Sequence, residues 1–207
     1  MPRRYARSMR LVTTPRVAFL RGIADTVLAR FGRGRMIVAI DGPLRSGKSA
    51  FADDLAAVLD ERGHAVFRAR MEDFHRSRAD QAQFGPDTAE RYYRYGYDES
   101  ALRRSLVEPF RLGGSAAFVT KVFDPARDVW VEPKWLTGPP DAILVVDGRF
   151  VLRERLEGLW DSRIAVAGDP VDPADVIAYE ASDPREIADV VVDLSLPARP
   201  KRVVRQP

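Results

Sequence analysis

Gly42-Pro43-Leu44-Arg45-Ser46-Gly47-Lys48-Ser49 decides the fold. The stretch fits the pattern G-x-x-x-x-G-K-[ST] without a mismatch, and its flanks give the match its meaning. Met36-Ile37-Val38-Ala39-Ile40, just before it, is a short continuous apolar run of the kind buried in a parallel sheet, ending at Asp41. Phe51, Leu55, Val58 and Leu59, just after it, share one face of a helix that stops before Gly63. A strand leading in and a helix leading out make backbone N–H groups and a helix N-terminus converge on one point, as a phosphate requires. Gly42 and Gly47 permit the turn and the close approach. The spacing predicts a nucleotide cradle from Gly42 to Ala50, with Lys48 neutralising the β- and γ-phosphates and the Ser49 hydroxyl ligating Mg2+. ATPases, GTPases and kinases share such a cradle, so the motif implies nucleotide binding without naming the reaction.

Outward from the loop, strands alternate with helices. Ala65 to Met71 reads as a second strand, Ala116 to Phe123 as another, and Ala142 to Val146 as a buried one ending at Asp147-Gly148. Ile164 to Ala167 and Ala188 to Leu194 read as the last two strands, with a short helix between them. Leu102, Leu106 and Phe110 support a helix from about Asp98 to Pro109. The polar and aromatic residues 72 to 97 have no clear period and read as loops around a site. The pattern predicts an α/β fold of P-loop NTPase type: three layers, with a central, mainly parallel sheet and helices on both faces.

Before the loop, Val17, Leu20, Ala24, Val27, Leu28 and Phe31 fall at helical spacing after Pro15. This helix and the preceding Arg3, Arg4, Arg7 and Arg10 form an N-terminal arm over residues 1–34, ahead of the domain over 35–207. Its periodicity fits packing on its own domain or on a second copy in a homodimer. The arginines read as a solvated tail.

The chain has 207 residues, 45% hydrophobic and 30% charged, enough for one buried core. With no cysteine it has no disulfide, thiolate metal site or cysteine nucleophile. The net charge of +3 is spread through mixed acidic and basic residues, which argues against a nucleic-acid partner. No apolar run is long enough to span a bilayer, and the expected location is cytoplasmic.

Ile37-Val38-Ala39-Ile40-Asp41-Gly42 running into the loop resembles the opening of uridine kinase and its relatives phosphoribulokinase, pantothenate kinase and nicotinamide riboside kinase. Met71-Glu72-Asp73-Phe74-His75 looks like the D-x-F-[YH] segment of that family. Tyr97-Asp98 precedes a helix as in those kinases, and Leu144-Val145-Val146-Asp147-Gly148-Arg149-Phe150 resembles their acidic-Gly strand end. Order and spacing agree from about Arg35 to Asp161.

The resemblance implies phosphoryl transfer from ATP, with Mg2+, to a hydroxyl of a small metabolite, most simply a nucleoside. It places the general base or orienting carboxylate at Glu72, with Asp73 as the alternative, since neighbours at a strand end point in opposite directions. It puts Asp98 on ribose hydroxyls, although Asp before a helix is equally an N-cap. Phe123-Asp124 matches an aromatic-Asp pair flanking the base pocket. His75 and Tyr97 join the acceptor side, and Asp147 is placed to hold the metal or its water.

One departure stands out. Where these kinases carry a lid with arginines, this chain reads Val171-Asp172-Pro173-Ala174-Asp175-Val176-Ile177, with no arginine until Arg185. Positive charge at the transferring phosphate is a large part of such catalysis. Arg45, Arg76, Arg78, Arg149 and Arg185 are the candidates to replace it. The alternative is an ATP-binding regulatory protein that has lost the transfer step.

Overall fold

The computed structural model describes residues 10–30 and 34–204. Arg3, Arg4, Arg7 and Phe31 lie outside them, and Arg10 is exposed. Helix α1 (Pro15–Ala29) begins at Thr14, whose hydroxyl accepts from the Val17 N–H, with Pro15 in the first turn, where no intrahelical N–H is needed. Strand β1 (Met36–Asp41) feeds the loop, and α2 (Lys48–Glu61) leaves it. Then come β2 (Val66–Arg70), a 3₁₀ turn at Met71–Phe74, α3 (Arg78–Ala82) and α4 (Ala89–Tyr95). Residues 72 to 97 thus hold short helices rather than loops alone, capped by Ser77 and Thr88.

Helix α5 (Glu99–Ala101) runs through a π-helical turn, Leu102–Val107, into α6 (Glu108–Leu112). Pro109 is the physical cause: it has no N–H for the Ser105 carbonyl four residues back. That carbonyl accepts from Val119 N–H at 2.9 Å instead. The expected strand over Ala116 to Phe123 is not a sheet strand. Phe118 makes an isolated bridge to Leu136, and the short hairpin of β3 (Phe123–Asp124) and β4 (Val129–Trp130) follows.

The chain continues with β5 (Ile143–Gly148), a 3₁₀ segment at Glu154–Leu159, β6 (Ser162–Val166), α7 (Pro173–Ala181), α8 (Pro184–Ile187), β7 (Val190–Asp193) and β8 (Lys201–Val203). The main sheet has the order β2-β5-β1-β6-β7-β8, parallel except for the β7–β8 pair.

Residue alternation along the strands divides the core. Met36, Val38 and Ile40, with Ile143, Val145, Ile164 and Val192, pack against α1 and α2. Ile37, Ala39, Leu144, Val146 and Val191 meet the helices of the other side through Leu102, Leu106 and Phe110. Leu20, Ile23, Ala24 and Val27 of α1 belong to the first of these clusters, so the apolar face of that helix is covered by its own chain. No described helix is long and apolar enough to cross a membrane.

Candidate functional site

β1 lies between β5 and β6, so the loop after it opens at the C-terminal edge of the sheet beside the end of β5. This is where open α/β sheets place ligands. Gly47 has φ 83° and starts α2. Gly42 is there for space: a Cβ would lie 2.7 Å from Ser46 Oγ and 3.1 Å from Val166 Cβ. Arg45 takes a positive φ of 64° and is exposed.

Lys48 is buried, and its ammonium donates to the Pro43 carbonyl at 3.2 Å. The Ser49 hydroxyl donates to Asp147 Oδ2 at 2.6 Å. Asp147 is fully buried, and its second oxygen accepts from Arg68 at 2.5 Å. A buried carboxylate without such partners is costly. Arg68 was not a sequence candidate. Its only signal is a cation within β2, and β2 is placed beside β5 by pairing across more than seventy residues.

Asp41 likewise lay outside the sequence candidates. Its carboxylate accepts from Gly42 N–H at 2.6 Å and from Leu152 N–H at 2.7 Å, tying the start of the glycine loop to the segment after β5. Burial pushes it up to about 6, against the opposing pull of these N–H groups and of Lys48. The segment that Asp41 holds contains Phe150 at φ 62°, an unfavourable conformation for an aromatic residue, costing about 1–3 kcal/mol. Ring contacts with Tyr92, Tyr93 and Tyr97 and the Arg149 guanidinium 4.9 Å over its face hold it there.

The residues expected on the acceptor side are gathered around the 3₁₀ turn after β2. Asp98 N–H donates to the Phe74 carbonyl and Val122 N–H to the Asp73 carbonyl, and His75 bridges to Tyr97. Within this cluster the side chains differ. Glu72 is partly buried and raised above the ordinary carboxylate range by burial; it lies within the fields of Lys48, Asp147 and Asp73. Asp73 pairs with Lys121 at 3.1 Å, and burial raises it as well.

Asp98 is an N-cap: its Oδ1 accepts from Ser100 and Ala101 N–H, with Arg76 at 3.7 Å. Asp124 closes its own turn, accepting from Ala126 and Arg127 N–H. Tyr97 and Phe123, expected beside the acceptor, are core residues at 2% and 0% exposure. His75 packs among Tyr92, Tyr97 and Phe123, with Nδ1 2.8 Å from the Arg76 carbonyl, and burial lowers its affinity for a proton.

The candidate arginines are also placed. Arg185 is bound by Asp183, and Arg76 lies over Phe84 beside Asp98. Arg149 is buried; it donates to Asp175 at 2.7 Å and pairs with Asp172. Asp175 was missed because its other partner is a backbone group, the Leu44 N–H at 2.8 Å, which leaves no trace in side-chain patterns.

No protein-family model and no curated protein matches the chain. Solved structures do. A possible uridine kinase from Bacillus stearothermophilus superposes with a TM-score of 0.72 at 24% identity, covering 85% of this chain and 96% of that one. A candidate fructose transport system kinase from Silicibacter sp. TM1040 gives 0.62 at 22% identity, covering 80% and 90%. The YGR205w protein gives 0.53 at 13% identity, covering 94% and 100%. The mainly parallel sheet, the glycine loop between β1 and α2 and these likenesses together give the chain the P-loop NTPase fold.

Proposed function

We propose that the chain binds ATP-Mg2+ at Gly42 to Ala50 and transfers the γ-phosphate to a hydroxyl of a small metabolite, with a nucleoside as the acceptor that the family resemblance favours. The observation that carries the reading is the convergence of Lys48, Ser49, Asp147 and Glu72 at the sheet edge. A nucleotide-binding role alone would not call for a desolvated carboxyl beside the phosphate loop.

In this reading the loop N–H groups and Lys48 bind and orient the phosphates. Glu72 accepts the hydrogen bond of the acceptor hydroxyl and takes its proton as the new O–P bond forms and the bond to ADP breaks. Its raised proton affinity suits that task. Asp73 is held by Lys121 and positions the 3₁₀ turn. The Ser49 hydroxyl and Asp147 carboxylate, already in contact, are hard oxygen donors that would suit Mg2+. The bound ion would neutralise phosphate charge. Asp98 and Asp124 contribute to the acceptor pocket through their turns, and His75 shapes it through ring packing.

A second reading, an ATP-binding protein without turnover, is favoured by one observation: α7 carries no arginine, and its Asp175 contacts the phosphate loop. The two separate in an acceptor screen for ADP release from ATP-Mg2+, run beside Lys48→Ala with ATP binding measured on the same samples. Turnover that needs one acceptor and disappears in the variant supports the kinase. Tight ATP binding without turnover across nucleosides, vitamins and sugar derivatives sinks it.

A further inference from the structure

The acidic segment in which this chain departs from the kinases it resembles is folded onto the phosphate loop. Asp172 caps α7, and three residues on, Asp175 is 1% exposed. One Asp175 oxygen accepts from Leu44 N–H at 2.8 Å and the other from Arg149 Nε at 2.7 Å. Arg149 reaches Asp172 with its NH2 group. A carboxylate bridging a loop N–H and a guanidinium has the chemistry of a bound phosphate: an anion with two acceptor oxygens, met by a backbone donor and an Arg fork.

We propose that α7 is an internal competitor of the nucleotide: Asp175 holds the position of phosphate oxygens at Leu44, and ATP displaces it and takes over Arg149. The inference rests on the nucleotide reading of the loop. Two further observations support it. The α7 seat is imperfectly satisfied, since the Tyr179 hydroxyl is buried without a hydrogen-bond partner, as suits a segment that docks and leaves. Arg149 is also too buried to be left alone, so α7 departs only when another anion replaces its carboxylates. The exchange delivers a guanidinium to the phosphate in a chain whose α7 has none. Arg149 so becomes a phosphate ligand in place of the absent lid arginines.

The test is ATP-Mg2+ titration calorimetry on the wild type, Asp175→Asn, Arg149→Gln and the double variant. Asp175→Asn is expected to bind at least tenfold tighter than wild type. In the Arg149→Gln background that gain should shrink severalfold, because the freed loop no longer presents the cation. Equal affinity of Asp175→Asn and wild type overturns the competition while leaving the nucleotide reading intact. An undiminished gain in the double variant overturns the role of Arg149. Failure of both wild type and Asp175→Asn to bind ATP overturns the nucleotide reading and this inference with it. Amide hydrogen exchange on the wild type gives an independent readout if the variant does not fold. Residues 173–181 should exchange faster once ATP-Mg2+ is added, and slower or unchanged exchange overturns displacement.

Discussion

Ser49 and Asp147, 98 residues apart in the chain, share a 2.6 Å hydrogen bond that joins the start of α2 to the end of β5. It links the phosphate loop to the strand beside it. Ser49→Ala should cost about 1 kcal/mol of stability, because a fully buried acceptor loses a donor and, among the described residues, keeps Arg68. The same variant should need more Mg2+ for half-maximal ATP binding. Urea denaturation and a Mg2+ titration of ATP binding check the two effects separately.

Glu72 and Asp73 should respond differently. Glu72→Gln is expected to lower kcat by roughly 10²- to 10⁴-fold with little change in ATP affinity, as loss of a general base does. Asp73→Asn loses a partly exposed pair to Lys121 and should cost under about 1 kcal/mol of stability and less than about tenfold in rate. Since burial raises Glu72, the acid limb of the pH–rate profile should lie above the ordinary carboxylate range. Activity should fall as the pH drops through that value. A larger loss in Asp73→Asn than in Glu72→Gln would reverse the assignment.

Gly148 touches Met71, the residue before Glu72. A Cβ at 148 would lie 2.2 Å from Met71 Cβ and 3.3 Å from its Cα, so the 3₁₀ turn would have to move. Gly148→Ala should destabilise the fold by about 1–3 kcal/mol. It should reduce turnover more than ATP affinity, because the turn carries Glu72. Thermal melts with parallel kinetics test this.

Asp41 gives a pH signature of stability. Its folded value of about 6 exceeds that of an unfolded aspartate, so the folded state holds the proton more tightly. The associated stabilisation is full below about pH 4 and is lost as the pH rises through about 6, by up to about 3 kcal/mol. Other carboxylates push the total the opposite way, so the readout is the difference between wild type and Asp41→Asn. That difference should change over pH 4 to 6 and be flat above 7.

The legible parts of the fold were those whose local pattern coincides with their burial. β1 and β5 are continuous apolar runs covered on both faces, and the glycine loop between β1 and α2 has one conformational use. Ala116 to Phe123 misled because apolar residues at strand spacing also suit an extended segment whose Phe118 and Phe123 are buried without joining the main sheet. β8 was missed because its three residues are exposed and have no apolar pattern. At the candidate site, the contact between Ser49 and Asp147 joins a residue of the glycine-loop motif to one that the acidic-Gly strand end suggested. The burial of Tyr97 and Phe123 was not legible, because aromatic residues lining a site and aromatic residues beneath it look alike in sequence. The capping role of Asp98 rests on two N–H donors that only the fold brings into view.

β8 has a consequence of a different kind. It is the last strand of the sheet, three residues long, preceded by Pro200 and carrying Lys201 and Arg202. An unpaired strand edge is a template on which a neighbouring molecule can add its own strand, growing into aggregates. Two such edges brought together here would set ammonium and guanidinium groups against each other over a register too short to repay the repulsion. The chain thereby carries its own protection against self-templated assembly, most needed when newly made molecules are crowded and only partly folded.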